Sequence, residues 1–333
     1  MLPIAGLAAL ACLPLRSEHK KIVVTGLGTA IVADLRAAAP GATLVAAEPG
    51  EDLTRHLGDA DGFLGTITPD LLRAAKKLKW VHSYSAGVEA YLFPGLVNSD
   101  VVLTNARIIQ GPQIADHAFA MLLMLTRDLH RAVPNRIKEE WAPKERYQGI
   151  ELPGKTAVIV GVGGIGFQIA QRAHGFGMTV IGVDPEDKPH SVYVSRMVPP
   201  EKLDDVLPLA DVVFVAAPHT PRTEGMFRTG QFDRMKRGAY FIAVSRGKLT
   251  DTNALVRALD EKRLAGAGVD VTDPEPLPKG HPLWKFDNVI ITQHVATVSD
   301  RLMDRQRELL LENVARFSRG QPLRNVVDKR KGY

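Results

Sequence analysis

From Lys21 onward, short apolar runs alternate with polar stretches long enough to be helices. Residues 22–25, IVVT, read as a buried strand, and residues 30–38 form a helix that stops before Pro40. Further apolar runs follow at 43–46, 62–64 and 80–83, with a helix at 69–77 that starts on Pro69. This alternation predicts a parallel sheet covered on both faces. A strand at 101–104 leads through Pro112 into residues 114–127, apolar nearly all round, and a helix of that kind is expected between domains. A polar interval, about 131–154, carries Trp141, Pro143 and Pro153 and reads as a crossover. A second series then begins, with strands at 156–160, 179–183, 212–216, 240–244, 267–269 and 289–291. Helices are predicted at 164–174, 224–236 and 251–262. After Thr297 come one helix, about 301–318, and an extended tail. A closing helix after a complete sheet implies that the chain returns to its first domain, so the second is an insertion.

A length of 333 residues exceeds what one hydrophobic core usually supports, which agrees with two domains. The formal net charge of +5 is small for that length and argues for an anionic ligand. Nucleic acid is not required, because no long Arg/Lys run with interleaved aromatics occurs, and the basic stretch Asp328-Lys329-Arg330-Lys331 reads as solvated surface. Cys12 is the only cysteine, which excludes an intrachain disulfide and any cysteine cluster for zinc or iron–sulfur. No metal is expected. Residues 2–15, LPIAGLAALACLPL, are too short for an ordinary membrane span and lack a preceding Lys or Arg. Three readings stand: a start assigned upstream of the true one, an export or lipidation signal ending near Cys12, or an apolar element packed on the protein. Residues 1–19 therefore stand apart from the two predicted domains. A cytoplasmic location is expected, with export or lipid anchoring as the alternative and a membrane tether only through residues 1–19.

Gly161-Val162-Gly163-Gly164-Ile165-Gly166 matches GxGxxG. The string gains weight from its context, because it follows the strand TAVIV and opens a helix. Gly161 then permits the tight turn, Gly163 lets the backbone approach a pyrophosphate at the helix N-terminus, and Gly166 allows close helix–strand packing. The next strand, TVIGV, ends in Asp184, 23 residues past Gly161. A carboxylate there accepts hydrogen bonds from ribose hydroxyls and repels a 2′-phosphate, so NAD is favoured over NADP. The competing reading is a ligand-free glycine turn with Asp184 as a helix cap. The loop Pro218–Thr223 follows another strand and is expected against the cofactor, or else is a rigid turn with Thr223 capping the next helix.

Arg246, Glu275 and His294 follow successive strand ends, and the carboxyl ends of neighbouring parallel strands converge on one crevice. Reduction of a 2-keto acid needs a proton donor at the carbonyl oxygen, which His294 supplies near neutral pH. It also needs a cation for the substrate carboxylate, and the planar guanidinium of Arg246 fits. Glu275 beside His294 would stabilise imidazolium and fix its orientation. Order alone leaves blander readings open: a surface Arg246, a solvated Glu275 and a structural His294.

Over about Lys21–Tyr333 the chain resembles the D-isomer-specific 2-hydroxyacid dehydrogenases. The segments that carry the resemblance are ELPGKTAVIVGVGGIG, AAPHTPRTEGMF, FIAVSRGKLTDTNALVRAL, LAGAGVDVTDPEPLPKGHPLW and NVIITQHVA. The resemblance implies catalytic roles for Arg246, Glu275 and His294. It implies cofactor contacts from Gly161, Gly163, Gly164, Ile165, Gly166 and Asp184. Later strand ends would add Ala217, Pro218, Thr223, Val244, Asp270 and His294 itself. SYSAGVE, residues 83–89, resembles the family's carboxylate loop, with the amides of Ala86 and Gly87 helping Arg246. TNARIIQGPQIADHAFAMLL resembles the interdomain hinge and dimer helix. Asp116 stands where many relatives carry Glu, and Gln293 where many carry Pro.

The implied fold is α/β, with two Rossmann-like or flavodoxin-like parallel-sheet domains and a cleft between them. The substrate domain would comprise 21–127 plus 300–333, and the NAD-binding domain 128–299. The expected function is NAD-dependent interconversion of a small D-2-hydroxy acid and its 2-keto acid by a homodimer. The alternatives are formate or phosphonate oxidation, an NADP-linked reductase on the same fold, and a corepressor-like regulator that binds NAD without turnover. Tyr84 and His82 are the candidates for sizing the pocket beside the carboxylate loop.

Overall fold

The computed structural model describes residues 19–186 and 191–333, and the apolar stretch with Cys12 lies outside them. The first unit holds β1 (Lys20–Val24), α1 (Thr29–Ala38), β2 (Ala42–Ala46), α2 (Glu51–Leu57) and β3 (Gly62–Leu64). It continues with α3 (Pro69–Ala74), β4 (Trp80–His82), α4 (Pro94–Val97) and β5 (Val102–Thr104). Its five strands are parallel, in the order β2-β1-β3-β4-β5, with Ile22 in register with Leu44 and Gly62. Two helices follow, α5 (Gly111–Thr126) and α6 (Leu129–Ile137).

The second unit opens with β6 (Thr156–Val160), α7 (Gly164–Gly175), β7 (Thr179–Val183), β8 (Arg196–Val198), α8 (Leu203–Val206) and β9 (Val212–Val215). It closes with α9 (Thr229–Arg234), β10 (Ala239–Ala243), α10 (Thr252–Asp260), β11 (Leu264–Val269) and β12 (Val289–Ile291). All seven strands are parallel, in the order β12-β11-β10-β9-β6-β7-β8. Ala157, Val158 and Ile159 have no exposed surface, as expected of a strand covered on both faces. Burial of Val158 and Ile159 contributes roughly 1.5–3 kcal/mol each. Strand order reverses between β6 and β9, which opens a crevice at their carboxyl ends.

The last helix, α11 (Leu302–Ser318), lies on the first sheet. Leu310, Val314 and Phe317 share a core with Ile22, Val24 and Trp80, and Arg307 pairs with Asp34 of α1 at 2.8 Å. Helix α5 packs its apolar residues into the second core, beside Ala157, Ile159 and Phe214. Glycine makes the fit possible: a Cβ at Gly268 would lie 2.8 Å from Met121 Cβ, and one at Gly266 would lie 3.1 Å from Leu125 Cδ2.

The helix expected at 224–236 is shorter. Residues 220–226 form a turn in which Thr223 N donates to Thr220 O and Gly225 takes φ +60°, so the helix starts at Thr229. Thr223 therefore does not cap it: its hydroxyl donates to Pro218 O at 2.7 Å and accepts from Thr220 N at 2.8 Å. Within the interval expected to be a crossover, Leu129–Ile137 is helical despite Pro134.

Candidate active site

The glycine turn is built by sterics. Gly161 has φ +87°, and a Cβ there would lie 2.5 Å from Ala217 Cα, so the loops after β6 and β9 touch only because it is glycine. A Cβ on Gly166 would fall 1.9 Å from Gly161 O. Gly163 differs, because nothing lies within 4 Å of its Cβ position. Around that open space the amides of Gly163, Gly164 and Ile165 donate to no protein acceptor among the described residues. Open first-turn amides on a twelve-residue helix could hold an anion such as a pyrophosphate. Gly164 also serves packing, since a Cβ there would meet Ile108 Cα at 2.7 Å.

Asp184 follows β7, and its Oδ2 accepts from Val162 N at 2.8 Å while Oδ1 accepts from Glu186 N at 2.9 Å. The carboxylate thus braces the turn at the strand end where a ribose hydroxyl would need an acceptor. Ala217, Val244 and Asp270 are buried. For Ala217 and Val244, contact with a cofactor would run through backbone.

Asp270, at the end of β11, holds the loop that bears His294. Its Oδ1 accepts from Thr292 Oγ1 at 2.6 Å and Val295 N at 2.9 Å, and its Oδ2 from Ala296 N at 3.1 Å. His294 N donates to Asp270 O at 2.8 Å. His294 adopts φ +53°, a left-handed conformation that this clamp enforces. His294 Nδ1 lies 2.7 Å from Glu275 Oε1. A carboxylate only accepts, so Nδ1 carries the proton in that bond and Nε2 is the nitrogen left for other chemistry. Glu275 is itself steadied by Thr272 N, 3.3 Å from Oε2.

Arg246 crosses to the first unit. A Cβ on Gly87 would sit 1.8 Å from its Nη2, so any larger residue at position 87 would displace the guanidinium. Its Nη1 donates to Ser245 O at 2.7 Å, and its Nε lies 3.1 Å from Glu89 Oε1. Glu89 was not foreseen as part of the site, although SYSAGVE contains it two residues after Gly87. The loop is fixed by Asn105, whose Nδ2 donates to Ala86 O at 2.6 Å. The amides of Ala86 and Gly87 donate to no protein acceptor among the described residues, which leaves two N–H groups beside a guanidinium.

Tyr84 lines a cavity of about 1040 Å³ at the carboxyl ends of β1 and β3, together with Thr25, Gly65 and Thr66. Its hydroxyl lies 3.0 and 2.9 Å from the carbonyls of Thr25 and Leu64, and burial pushes its phenol well above the usual range. His82 corrects the expectation: it is fully buried against Thr104, because it occupies a strand position that faces the core.

The family model described as the NAD-binding domain of D-isomer-specific 2-hydroxyacid dehydrogenases matches residues 119–296. The glyoxylate reductase of Korarchaeum cryptofilum is 34% identical over 288 residues, covering 83% of this chain and 85% of that protein. The D-3-phosphoglycerate dehydrogenase of Methanocaldococcus jannaschii is 33% identical over 84% of this chain, which spans only 53% of that longer protein. Among solved structures, a D-isomer-specific 2-hydroxyacid dehydrogenase from Xanthobacter autotrophicus, in complex with NADPH and MES, superposes with TM-score 0.82. It is 27% identical, and the match covers 95% of this chain and 100% of that one. The D-lactate dehydrogenase of Aquifex aeolicus, complexed with NAD and lactic acid, gives 0.74 at 26% identity, covering 92% and 99%.

Proposed function

We propose that this chain, which belongs to the D-isomer-specific 2-hydroxyacid dehydrogenase family, is an NAD-dependent enzyme that interconverts a small D-2-hydroxy acid and its 2-keto acid. The substrate is of the hydroxypyruvate, glyoxylate or phosphoglycerate type. The observation that carries the reading is the convergence of Arg246 from the second sheet on Gly87 of the first, beside two open amides. Those groups would hold a carboxylate by charge and by directed N–H donors.

The roles then follow from the residues. Arg246 and the amides of Ala86 and Gly87 orient the keto acid. His294 gives the proton on Nε2 to the carbonyl oxygen in reduction and takes it back in oxidation. Glu275 keeps Nδ1 protonated and steadies the imidazolium that forms when the reverse reaction loads the ring. Asp270 is a positioning residue, because its carboxylate holds the Thr292 hydroxyl before His294 and the Val295 and Ala296 amides after it. A bound nicotinamide supplies the hydride chemistry. Asp184 at the end of β7 would accept from a ribose hydroxyl and oppose a 2′-phosphate, which favours NAD.

In this division of labour, residues 21–127 plus 300–333 bind substrate and residues 128–299 bind the dinucleotide, with α5 packed on the latter. The working form is a homodimer. Supporting that assembly, Leu129, Val133 and Ile137 of α6 are exposed on one helical face, near a fully exposed Trp141.

The test is turnover of a panel of 2-keto acids by the unaltered chain and by His294→Ala and Arg246→Ala, with NADH and NADPH each titrated by fluorescence. His294→Ala is expected to lose about 100-fold or more in kcat, as loss of a general acid does. Arg246→Ala is expected to raise KM steeply. Near-native turnover in both variants contradicts the assignment, and tighter NADPH binding contradicts the choice of NAD.

A further inference from the structure

The segment Asp328–Tyr333, whose residues 328–331 read from sequence as solvated surface, ties the two units together across the dinucleotide crevice. It is anchored on the first unit. Val327 N donates to Leu103 O at 2.8 Å, and Lys329 Nζ donates to three carbonyls, Leu96, Ser99 and Val101, at 3.0, 2.6 and 2.8 Å. It is also closed on itself. Gly332 N donates to Asp328 O at 2.8 Å and Asp328 N to Tyr333 O at 2.9 Å, while Asp328 Oδ1 accepts from the amides of Arg330 and Lys331. A loop held in this way presents its tip in a fixed direction.

That tip reaches the second unit. Lys331 Nζ lies 2.6 Å from Glu186 Oε1, and the Tyr333 hydroxyl donates to the same oxygen at 3.2 Å. A Cβ on Gly332 would lie 3.4 Å from Thr220 Cγ2 and 3.3 Å from Leu92 Cδ1, so the backbone there runs between the units. Glu186 follows Asp184 on the loop after β7, and Thr220 lies on the loop after β9. Those two loops flank the end of the crevice where Asp184 would meet a ribose. Burial, followed by the Glu186 carboxylate, raises the Tyr333 phenol above its usual range, so it remains a donor at neutral pH.

We propose that Lys331 and Tyr333 are cofactor-retaining residues: through Glu186 they close the adenosine end of the crevice and slow release of the bound dinucleotide. The inference rests on the reading that the crevice holds NAD(H). The segment is fixed to the first unit, and its contacts with the second among the described residues are at its tip. A departing adenosine therefore requires the Glu186 contacts to open first, whereas the catalytic groups at Arg246 and His294 lie on the loops after β10 and β12.

The experiment is stopped-flow displacement of NADH from the full chain, followed by nucleotide fluorescence. Lys331→Ala/Tyr333→Phe is expected to speed NADH dissociation roughly threefold, the scale of one exposed ion pair plus one hydrogen bond, with unchanged melting temperature. In a Glu186→Gln background the same pair should add nothing further, because the effect runs through that carboxylate. Unchanged release overturns the inference, and slower release or tighter binding does so too, since it would mean that the segment obstructs the adenosine slot. A full additional effect in the Glu186→Gln background likewise overturns it. Absence of any NADH binding by the unaltered chain overturns the dinucleotide reading itself, an outcome distinct from binding with unchanged release.

Discussion

Burial of a titratable ring sets a pH limit on the first sheet. His82 has no exposed surface, its Nδ1 lies 2.8 Å from Thr104 Oγ1, and Trp80 Nε1 donates to that same hydroxyl. Its Nε2 has no hydrogen-bond partner among the described residues, so nothing offsets the cost of charging the ring. Burial accordingly lowers its pKa from the usual 6.5 to about 4. Between those values the unfolded chain binds a proton that the folded chain refuses, so stability is fully present above pH 6.5 and is lost as pH falls towards 4. The shift corresponds to an upper bound of about 3 kcal/mol. The melting temperature is expected to drop across that window, and His82→Phe is expected to flatten the slope. An identical slope in the variant contradicts this account. At this scale the site was partly legible. Arg246, Glu275 and His294 stand at strand ends in short motifs, and the fold brings Glu275 to His294 and Arg246 to Gly87. Glu89 was not legible, because its partnership with Arg246 depends on how two units meet. His82 was misread because both faces of β4 are buried, so a polar residue at the strand's end points into the core and not into the crevice.

Helices and strands were legible where periodicity was long and caps were ordinary. The strands of both sheets follow the apolar runs, since parallel strands buried on two faces are apolar nearly throughout, except β8, which was missed because Arg196-Met197-Val198 is a short, partly exposed edge strand with no such run. The exceptions have local causes. The turn at 220–226 shortens α9 through Gly225 and the Thr223 hydroxyl, a piece of turn chemistry that composition alone does not reveal. Helix α6 was hidden by its own polar residues and by Pro134. That helix carries the prediction at this scale. Its face of Leu129, Val133 and Ile137 has no partner among the described residues, and the proposed partner is the same face of a second copy. Sedimentation velocity at micromolar concentration is expected to show a dimer, and Val133→Glu/Ile137→Glu is expected to shift it to monomer. A monomeric unaltered chain contradicts the proposal.

Across the whole molecule, two parallel sheets present their carboxyl edges to each other, and close contacts at glycines bring them near. Gly164 meets the backbone of Ile108, Gly87 receives the Arg246 guanidinium, and Gly332 runs between Leu92 and Thr220. The return of α11 to the first sheet was legible from its place after a complete second series of strands. The path of the following segment to Glu186 was not, because a short basic stretch reads the same whether it is solvated or paired. The central claim is that these edges align a keto acid, held by Arg246 and the Ala86 and Gly87 amides, for hydride delivery to C2 with His294 as proton donor. The most direct measurement uses NADH dideuterated at nicotinamide C4, glyoxylate and hydroxypyruvate as substrates, and mass spectrometry of the hydroxy acid formed. The account predicts one deuteron at C2 of the product from at least one of these acids, and its loss in His294→Ala. NADH that binds but transfers no deuterium to either acid would contradict it.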